Sequence, residues 1–243
     1  MNARMQATVP EKFVLTADQA IGRIAVELPG ATAIFRRLKL DFCCGGQVSL
    51  AQAATDKGLV VPTLLVELAT LERTDALPTL VEPAGLIDHI LSRYHEVHRT
   101  QLPELIRMAR RVEAVHRENP DVPVGLADLL ETMEQELLSH MEKEELILFP
   151  MIKDGGNPFV TQPIGMMRLE HVEHGAALDK LMALTNDATA PAQACNTWRA
   201  LFAGVGQLRE DLISHIHLEN NVLFPQFEAS RSSGCEDGGC NCG

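Results

Sequence analysis

Residues 140–150 read HMEKEELILFP and residues 215–225 read HIHLENNVLFP, so the chain carries one motif twice, at an offset of 75 residues. In both copies a histidine precedes a glutamate by four residues, and both copies end in Leu-Phe-Pro. Residues four apart lie on one face of an α-helix, about one turn from each other. Each copy therefore predicts a helix that presents an imidazole and a carboxylate to a metal ion, and the duplication predicts a centre with two metal ions.

Four long helical patterns contain the two copies and fill residues 84–228. They run over about 84–117, 125–153, 165–185 and 195–227, with polar segments that contain Pro or Gly between them. Strand signals are nearly absent, since the chain has one Tyr, one Trp and few alternating β-branched runs. The sequence therefore predicts an all-α fold with an up-down-up-down four-helix bundle. Pro150 and Pro225 are predicted to kink or end their helices.

A further pair of histidines completes the repeat. His95 and His171 lie in the first and third helical patterns at an offset of 76 residues, so each half supplies a histidine followed by His-x3-Glu. The two glutamates are predicted to bridge the ions and to leave two histidines for each. Mixed imidazole and carboxylate ligation suits Fe, Mn or Zn, and such sites are common in the cores of four-helix bundles. The predicted metal ligands are His95, His140, Glu144, His171, His215 and Glu219.

Other residues near this pattern have a less specific interpretation. A lone His-x3-Glu pair is most often a solvated surface pair worth about 0.2–0.5 kcal/mol, and only the duplication favours a metal. Glu136 lies four residues before His140 and is predicted to orient a ligand or relay a proton, with a partly exposed surface residue as the alternative. Five further histidines are predicted to face solvent or to lie behind the ligands. They are His89, His98, His116, His174 and His217.

Residues 16–73 predict a small helical domain of four short helices, with Thr16 and Ser49 as N-caps of the first and third. Between the second and third helices lies Asp41-Phe42-Cys43-Cys44-Gly45-Gly46. Because a helix N-terminus lowers the pKa of a thiol, Cys43 and Cys44 are predicted to be reactive, redox-active or metal-contacting thiols. The alternative is that they are small buried residues at a tight turn.

The remaining segments are short. Residues 1–15 are predicted to be a flexible N-terminus, 74–83 a linker, 84–228 the bundle domain and 229–243 a flexible tail rich in Cys and Gly. The tail contains Cys235, Cys240 and Cys242, which either bind a soft metal, form mixed disulfides or have no role of their own.

Charge and hydropathy exclude several classes of function. A net charge of −12 argues against non-specific binding to nucleic acids and against binding to anionic membranes. No apolar run reaches the roughly 18 residues of a transmembrane helix, and the N-terminus lacks the apolar core of a signal peptide. The chain is therefore predicted to be cytoplasmic, and its six cysteines to be thiols or ligands rather than structural disulfides.

Taken together, these motifs resemble the repair-of-iron-centres (RIC) family, of the YtfE/ScdA type. The resemblance rests on the Asp-Phe-Cys-Cys-Gly-Gly motif and on the bundle sequences IDHILSRYHEVHRTQLPEL, SHMEKEELILFPMI, LEHVEHG and HIHLENNVLFP, and it covers roughly residues 17–228. It implies a hemerythrin-like bundle that holds two non-haem iron ions, oxo- and carboxylate-bridged, through the six ligands named above. It also implies repair of iron–sulfur clusters damaged by nitric oxide or peroxide, with damaged iron–sulfur proteins as partners.

The resemblance separates this chain from oxygen carriers and leaves three functions open. Oxygen-carrying hemerythrins place a second histidine four residues after the third-helix histidine, where this chain has Gly175, which disfavours oxygen storage. The three functions are iron donation to damaged clusters, enzymatic reduction of nitric oxide, and a sensor or scavenger that binds nitric oxide or O2. The oligomeric state, including a homodimer, stays open.

Overall fold

The structure is a computed structural model that describes residues 15–71 and 82–228. The chain divides into two units, Met1–Thr79 and Leu80–Gly243, and each is described by itself. The predicted flexible ends and most of the predicted linker fall outside the described residues, and so do the three tail cysteines. Those assignments stay predictions.

The N-terminal unit contains four short helices: α1 (Ile21–Glu27), α2 (Ala31–Arg37), α3 (Leu50–Asp56) and α4 (Val61–Ala69). Their inward faces build one apolar core, in which Ile21, Ile24, Phe35, Leu50 and Leu68 are fully buried.

The two predicted N-caps of this unit have different outcomes. Ser49 is confirmed, because its hydroxyl oxygen accepts a hydrogen bond from the backbone N–H of Gln52 at 3.1 Å. Thr16 is wrong, because α1 begins five residues later, at Ile21. Ala20 is in extended conformation and forms an isolated antiparallel bridge with Ser49, which holds the preceding segment out of the helix.

The second unit is built from four long helices. The first comprises α5 (Pro83–Ile90), the π-helical turn π1 (Leu91–His95) and α6 (Glu96–Val115). The second comprises α7 (Leu126–Lys143), π2 (Glu144–Leu148) and α8 (Phe149–Lys153). The third is α9 (Thr161–Leu184). The fourth comprises α10 (Asn196–Leu218), π3 (Glu219–Leu223) and α11 (Pro225–Glu228).

Each long helix packs against two neighbours. The first packs on the second and fourth, and the third packs on the same two, so helices that follow each other along the chain lie side by side. This is the arrangement of an up-down-up-down bundle. The predicted all-α fold is confirmed, because no strand occurs in residues 15–71 or 82–228 beyond the single bridge. Among the helices of these residues, none combines the length and the hydropathy that a membrane span requires.

An apolar cluster closes one end of the bundle interior. It contains Tyr94, Phe149, Phe224, Leu148 and Leu223, together with residues from α5 and the first turns of α9. The phenylalanines and leucines come from the two Leu-Phe-Pro repeats, so the repeated motif contributes both to the apolar core and to the polar layer beside it.

Candidate metal centre

The six predicted ligand side chains converge in the bundle interior, and each is at most 1% exposed. The first and third helices each contribute one histidine, and the second and fourth each contribute a histidine and a glutamate four residues later. The spacing of four therefore acts as the sequence predicted, since it turns both side chains toward the bundle axis.

His95 and His215 form one group of nitrogen donors. Their Nε2 atoms lie 3.2 Å apart. Oε2 of Glu144 lies 3.4 Å from Nε2 of His95, and Oε1 of Glu219 lies 3.1 Å from Nε2 of His215.

His140 and His171 form the second group with the same geometry. Their Nε2 atoms are also 3.2 Å apart. Oε1 of Glu144 lies 3.5 Å from Nε2 of His140, and Oε2 of Glu219 lies 3.1 Å from Nε2 of His171. Each glutamate thus presents one oxygen to each histidine pair, which is the geometry of a carboxylate bridge between two ions.

The distances between donor atoms fit metal ions. A metal–ligand distance of about 2.1 Å places neighbouring ligands about 3.0 Å apart at right angles and about 3.4 Å apart in a tetrahedron. The separations of 3.1–3.5 Å between these donor atoms are close to this range. In addition, neither carboxylate oxygen of Glu144 has a hydrogen-bond partner, although the side chain is fully buried. Buried polar atoms are nearly always partnered, so this donor set fits two cations.

Burial sets the protonation of the site. Burial, and then the neighbouring His215, lowers the pKa of His95 to about 4, and burial lowers the pKa of His140 well below its usual value. Burial raises the pKa of Glu144, and the nearby carboxylate of Glu219 raises it further. For Glu219, burial acts in the same direction, but His215 and hydrogen bonds from the histidines hold its pKa well below the usual value. Neutral imidazoles beside ionised carboxylate are the form in which these groups bind metals.

Three π-helical turns place the ligands, and two of them follow from the Leu-Phe-Pro repeat. In π3 the backbone N–H of Phe224 bonds to the carbonyl of Glu219 at 2.9 Å, five residues back, and Phe149 bonds in the same way to Glu144. The next residue is proline in both copies, which lacks an N–H and whose ring clashes with the carbonyl four residues back. The widened turn accommodates that ring. The helices continue to Lys153 and Glu228, so Leu-Phe-Pro marks a widened turn rather than an immediate helix end.

Outer hydrogen bonds hold three of the four imidazoles through Nδ1. Nδ1 of His95 lies 2.7 Å from Oε1 of Glu145, to which Arg99 also donates. The backbone of the fourth helix places Asn220 so that its Oδ1 lies 2.9 Å from Nδ1 of His171. Nδ1 of His215 is buried without a hydrogen-bond partner. A hydrogen bond at Nδ1 fixes the orientation of a ligating imidazole and raises the basicity of its Nε2.

The outer partner of His140 is Glu170, and Glu136 matches the predicted alternative of a surface residue. Nδ1 of His140 lies 2.8 Å from Oε2 of Glu170, and Oε1 of Glu170 accepts a hydrogen bond from Lys143 at 2.5 Å. Glu136 is exposed, because each step of four residues rotates about 40° around the helix and carries it away from the face of Glu144. None of the three outer partners was predicted from the sequence, although each is adjacent in sequence to a predicted ligand.

The five other histidines were predicted to face solvent or to lie behind the ligands, and the structure contains both kinds. His89 is exposed and His116 is half-buried, but His98, His174 and His217 are buried. Residues three apart also share a helix face, so His98 and His174 project inward behind the ligands. Both ring nitrogens of His98 and Nε2 of His174 have no hydrogen-bond partner.

The Cys43-Cys44 motif is not at a helix N-terminus, since α3 begins six residues after Cys44, at Leu50. The hydrogen bond with Cys44, burial, and the nearby charge of Asp41 raise the pKa of the Cys43 thiol, so the predicted lowering is wrong. The third described cysteine, Cys195, is exposed at the start of α10.

Comparison with known proteins identifies both units. Residues 86–227 match the hemerythrin HHE cation binding domain, and residues 17–72 match ScdA_N, a domain of unknown function (DUF542). The iron-sulfur cluster repair protein YtfE of Dickeya chrysanthemi is 48% identical over 212 residues, which covers 86% of this chain and 96% of the relative. The YtfE proteins of Cronobacter sakazakii and Citrobacter koseri are 47% and 48% identical, with the same coverage.

Proposed function

The chain belongs to the YtfE family of iron-sulfur cluster repair proteins, and from this premise we propose that it repairs damaged iron–sulfur clusters by supplying iron from a di-iron centre in its bundle. The observation that carries this proposal is the pairing of each glutamate's two oxygens with two different histidine pairs. The proposal includes an oxo bridge between the ions and a cytoplasmic location, where damaged clusters occur.

The residues of the bundle have separate tasks in this proposal. His95 and His215 would hold one iron, His140 and His171 the other, and Glu144 and Glu219 would bridge them. Iron held there would supply the ferrous ions that a damaged cluster has lost, and it would offer open positions to diatomic ligands. The carboxylates balance the charge of the cations inside the apolar bundle, and the neutral imidazoles offer their Nε2 lone pairs.

Two features support release of iron rather than permanent storage. First, Nδ1 of His215 has no hydrogen-bond partner, so an ion held by His95 and His215 would be bound less firmly than one held by His140 and His171. Second, the outer partners Glu145 and Glu170 are 29% and 16% exposed, so solvent reaches the groups that orient the ligands. A surface cavity of about 470 Å³ adjoins the first of these. Its walls are formed by Arg99, Leu138, Ser139, Glu142, Glu145 and Leu146.

Reactivation of a damaged enzyme tests the proposal. An enzyme whose [4Fe–4S] cluster has been destroyed by nitric oxide is incubated anaerobically with the iron-loaded protein, or with the same amount of ferrous salt and reductant. We expect faster reactivation with the protein, and loss of that advantage in the Glu144→Ala and Glu219→Ala variants. Equal rates for protein and ferrous salt would contradict iron donation.

Reduction of nitric oxide is a second candidate, favoured by the proximity of the two histidine pairs. Glu144 and Glu219 would hold two ions close together, and such a pair would offer neighbouring positions for two molecules of nitric oxide. Catalytic formation of N2O that is abolished by Glu144→Ala would favour this candidate. Stoichiometric binding without turnover would contradict it.

A further inference from the structure

The Asp41-Phe42-Cys43-Cys44 segment gathers three potential metal ligands in the N-terminal unit. The Sγ atoms of Cys43 and Cys44 lie 3.6 Å apart, and Oδ1 of Asp41 lies 3.4 Å from Sγ of Cys43. One donor atom from each of these residues lies within 4.8 Å of the other two. A disulfide requires about 2.05 Å between the sulfur atoms, so the two side chains are present as thiols.

The backbone of the segment holds this arrangement by itself. The N–H of Cys44 donates a hydrogen bond to Oδ1 of Asp41 at 2.9 Å, which closes a turn around the carboxylate. A Cβ atom at Gly45 would lie 3.0 Å from both the carbonyl oxygen and Oδ2 of Asp41, so a side chain at this position would press on the carboxylate. Phe42, which lies between Asp41 and Cys43 in the sequence, is buried and anchors the turn in the apolar core of the unit.

We propose that Asp41, Cys43 and Cys44 form a binding site for a single thiophilic divalent cation, of the class of Fe²⁺ or Zn²⁺. With metal–sulfur bonds of about 2.3 Å, a sulfur–sulfur separation of 3.6 Å corresponds to an angle of about 103° at the metal, close to the tetrahedral value. Two thiolates and a carboxylate are the donors that these cations accept. Binding releases both thiol protons to solvent, so affinity rises with pH.

The exposure of the site indicates exchange rather than permanent retention of the ion. The chain supplies three ligands, Asp41 is exposed, and both cysteines are half-buried, so the fourth coordination position faces solvent. Structural sites are usually closed by four protein ligands, whereas sites with three keep one position for water or an incoming donor. This site goes beyond the proposed function, because it requires no metal in the bundle.

An anaerobic titration of the full chain with Co²⁺ tests the site. Sulfur-to-cobalt charge-transfer absorption reports thiolate ligation, and the bundle centre contains no sulfur ligand. We expect this absorption in the wild type and in a variant with Cys235, Cys240 and Cys242 replaced by serine, and its loss when Cys43→Ser and Cys44→Ser are added to that variant. Absence of the absorption from the variant without tail cysteines, or its survival when Cys43 and Cys44 are also replaced, would overturn the proposal.

Two substitutions at Asp41 separate metal binding from turn formation. Asp41→Asn keeps an oxygen for the N–H of Cys44 but removes the charge, and Asp41→Ala removes both. Loss of a ligand should weaken Co²⁺ binding at least about tenfold in Asp41→Asn, with unchanged circular dichroism. Unchanged affinity in Asp41→Asn would show that the carboxylate only shapes the turn and would overturn the three-ligand site.

Competition identifies the cation and keeps this site separate from the repair activity. Fe²⁺ or Zn²⁺ added after cobalt is expected to abolish the charge-transfer absorption, and failure of both to displace cobalt would contradict the proposed class of cation. The absorption is read without a cluster or a damaged enzyme. Failure of cluster repair therefore leaves this site standing, and failure of the cobalt titration leaves the repair proposal standing.

Discussion

Replacement of Glu170 by glutamine is expected to weaken metal binding at the His140/His171 pair without touching a ligand. Oε2 of Glu170 lies 2.8 Å from Nδ1 of His140, and Oε1 accepts a hydrogen bond from Lys143. Glutamine keeps the size and one acceptor oxygen but removes the negative charge. The imidazole is then less basic toward the metal and less firmly oriented.

The expected loss of metal affinity follows from the surroundings of the contact between Glu170 and His140. Loss of such an outer partner costs about 10–100-fold in metal affinity, which is about 1.4–2.7 kcal/mol. Glu170 shares its charge with Lys143 and is 16% exposed, so solvent and the ammonium group already weaken its effect. We therefore expect the lower end, about tenfold, for the ion on this pair alone.

Competition with a chelator under anaerobic conditions measures this effect. Wild type, Glu170→Gln and Glu136→Gln are loaded with iron, and the iron retained per chain is followed against chelator concentration. Glu136 is the matched control, because it is also a glutamate near His140 but is exposed. Retention in Glu170→Gln within twofold of wild type, or an equal loss in Glu136→Gln, would refute the argument.

Three further predictions concern the bundle. Glu219→Ala removes the two carboxylate oxygens that face His171 and His215, so elemental analysis should find that more than half of the bound metal is lost. A variant that retains one full ion per chain would contradict a carboxylate shared by both ions. Gly204→Ala would place a Cβ atom 2.6 Å from the Leu105 side chain and should lower the free energy of unfolding by about 1–3 kcal/mol. Gly165→Ala, where a Cβ atom would meet no other atom within 4 Å, should raise the free energy of unfolding, and equal melting temperatures of the two variants would refute this prediction. Burial lowers the pKa of His95 to about 4 while the unfolded histidine titrates near 6.5, so the unfolded chain binds the proton first. The metal-free protein should therefore lose up to about 3 kcal/mol as pH falls from about 6.5 to 4, and a urea midpoint that is constant over this range would contradict it.

Much of the fold and of the candidate centre could be predicted because the decisive signals are local. His140 and Glu144, or His215 and Glu219, are related by one helical turn, so their common face follows from helix geometry alone. His95 required the repeat as well, because a lone histidine has no periodic partner. The start of α1 could not be predicted, since Ala20 is held out of the helix by a bridge to Ser49, which is distant in sequence.

The sequence by itself determined the all-α fold, the four bundle helices and the set of residues that meet at the centre, because helical periodicity fixes which side chains share a face. Only the tertiary structure decided which histidines form a pair, and which groups form hydrogen bonds with their Nδ1 atoms. Glu170 reaches His140 from a neighbouring helix, and the side chains of Asp41, Cys43 and Cys44 meet through a turn that helical periodicity does not predict. The physical reason is that contacts between helices depend on the rotation and offset of one helix against another, which is set by packing of the whole core.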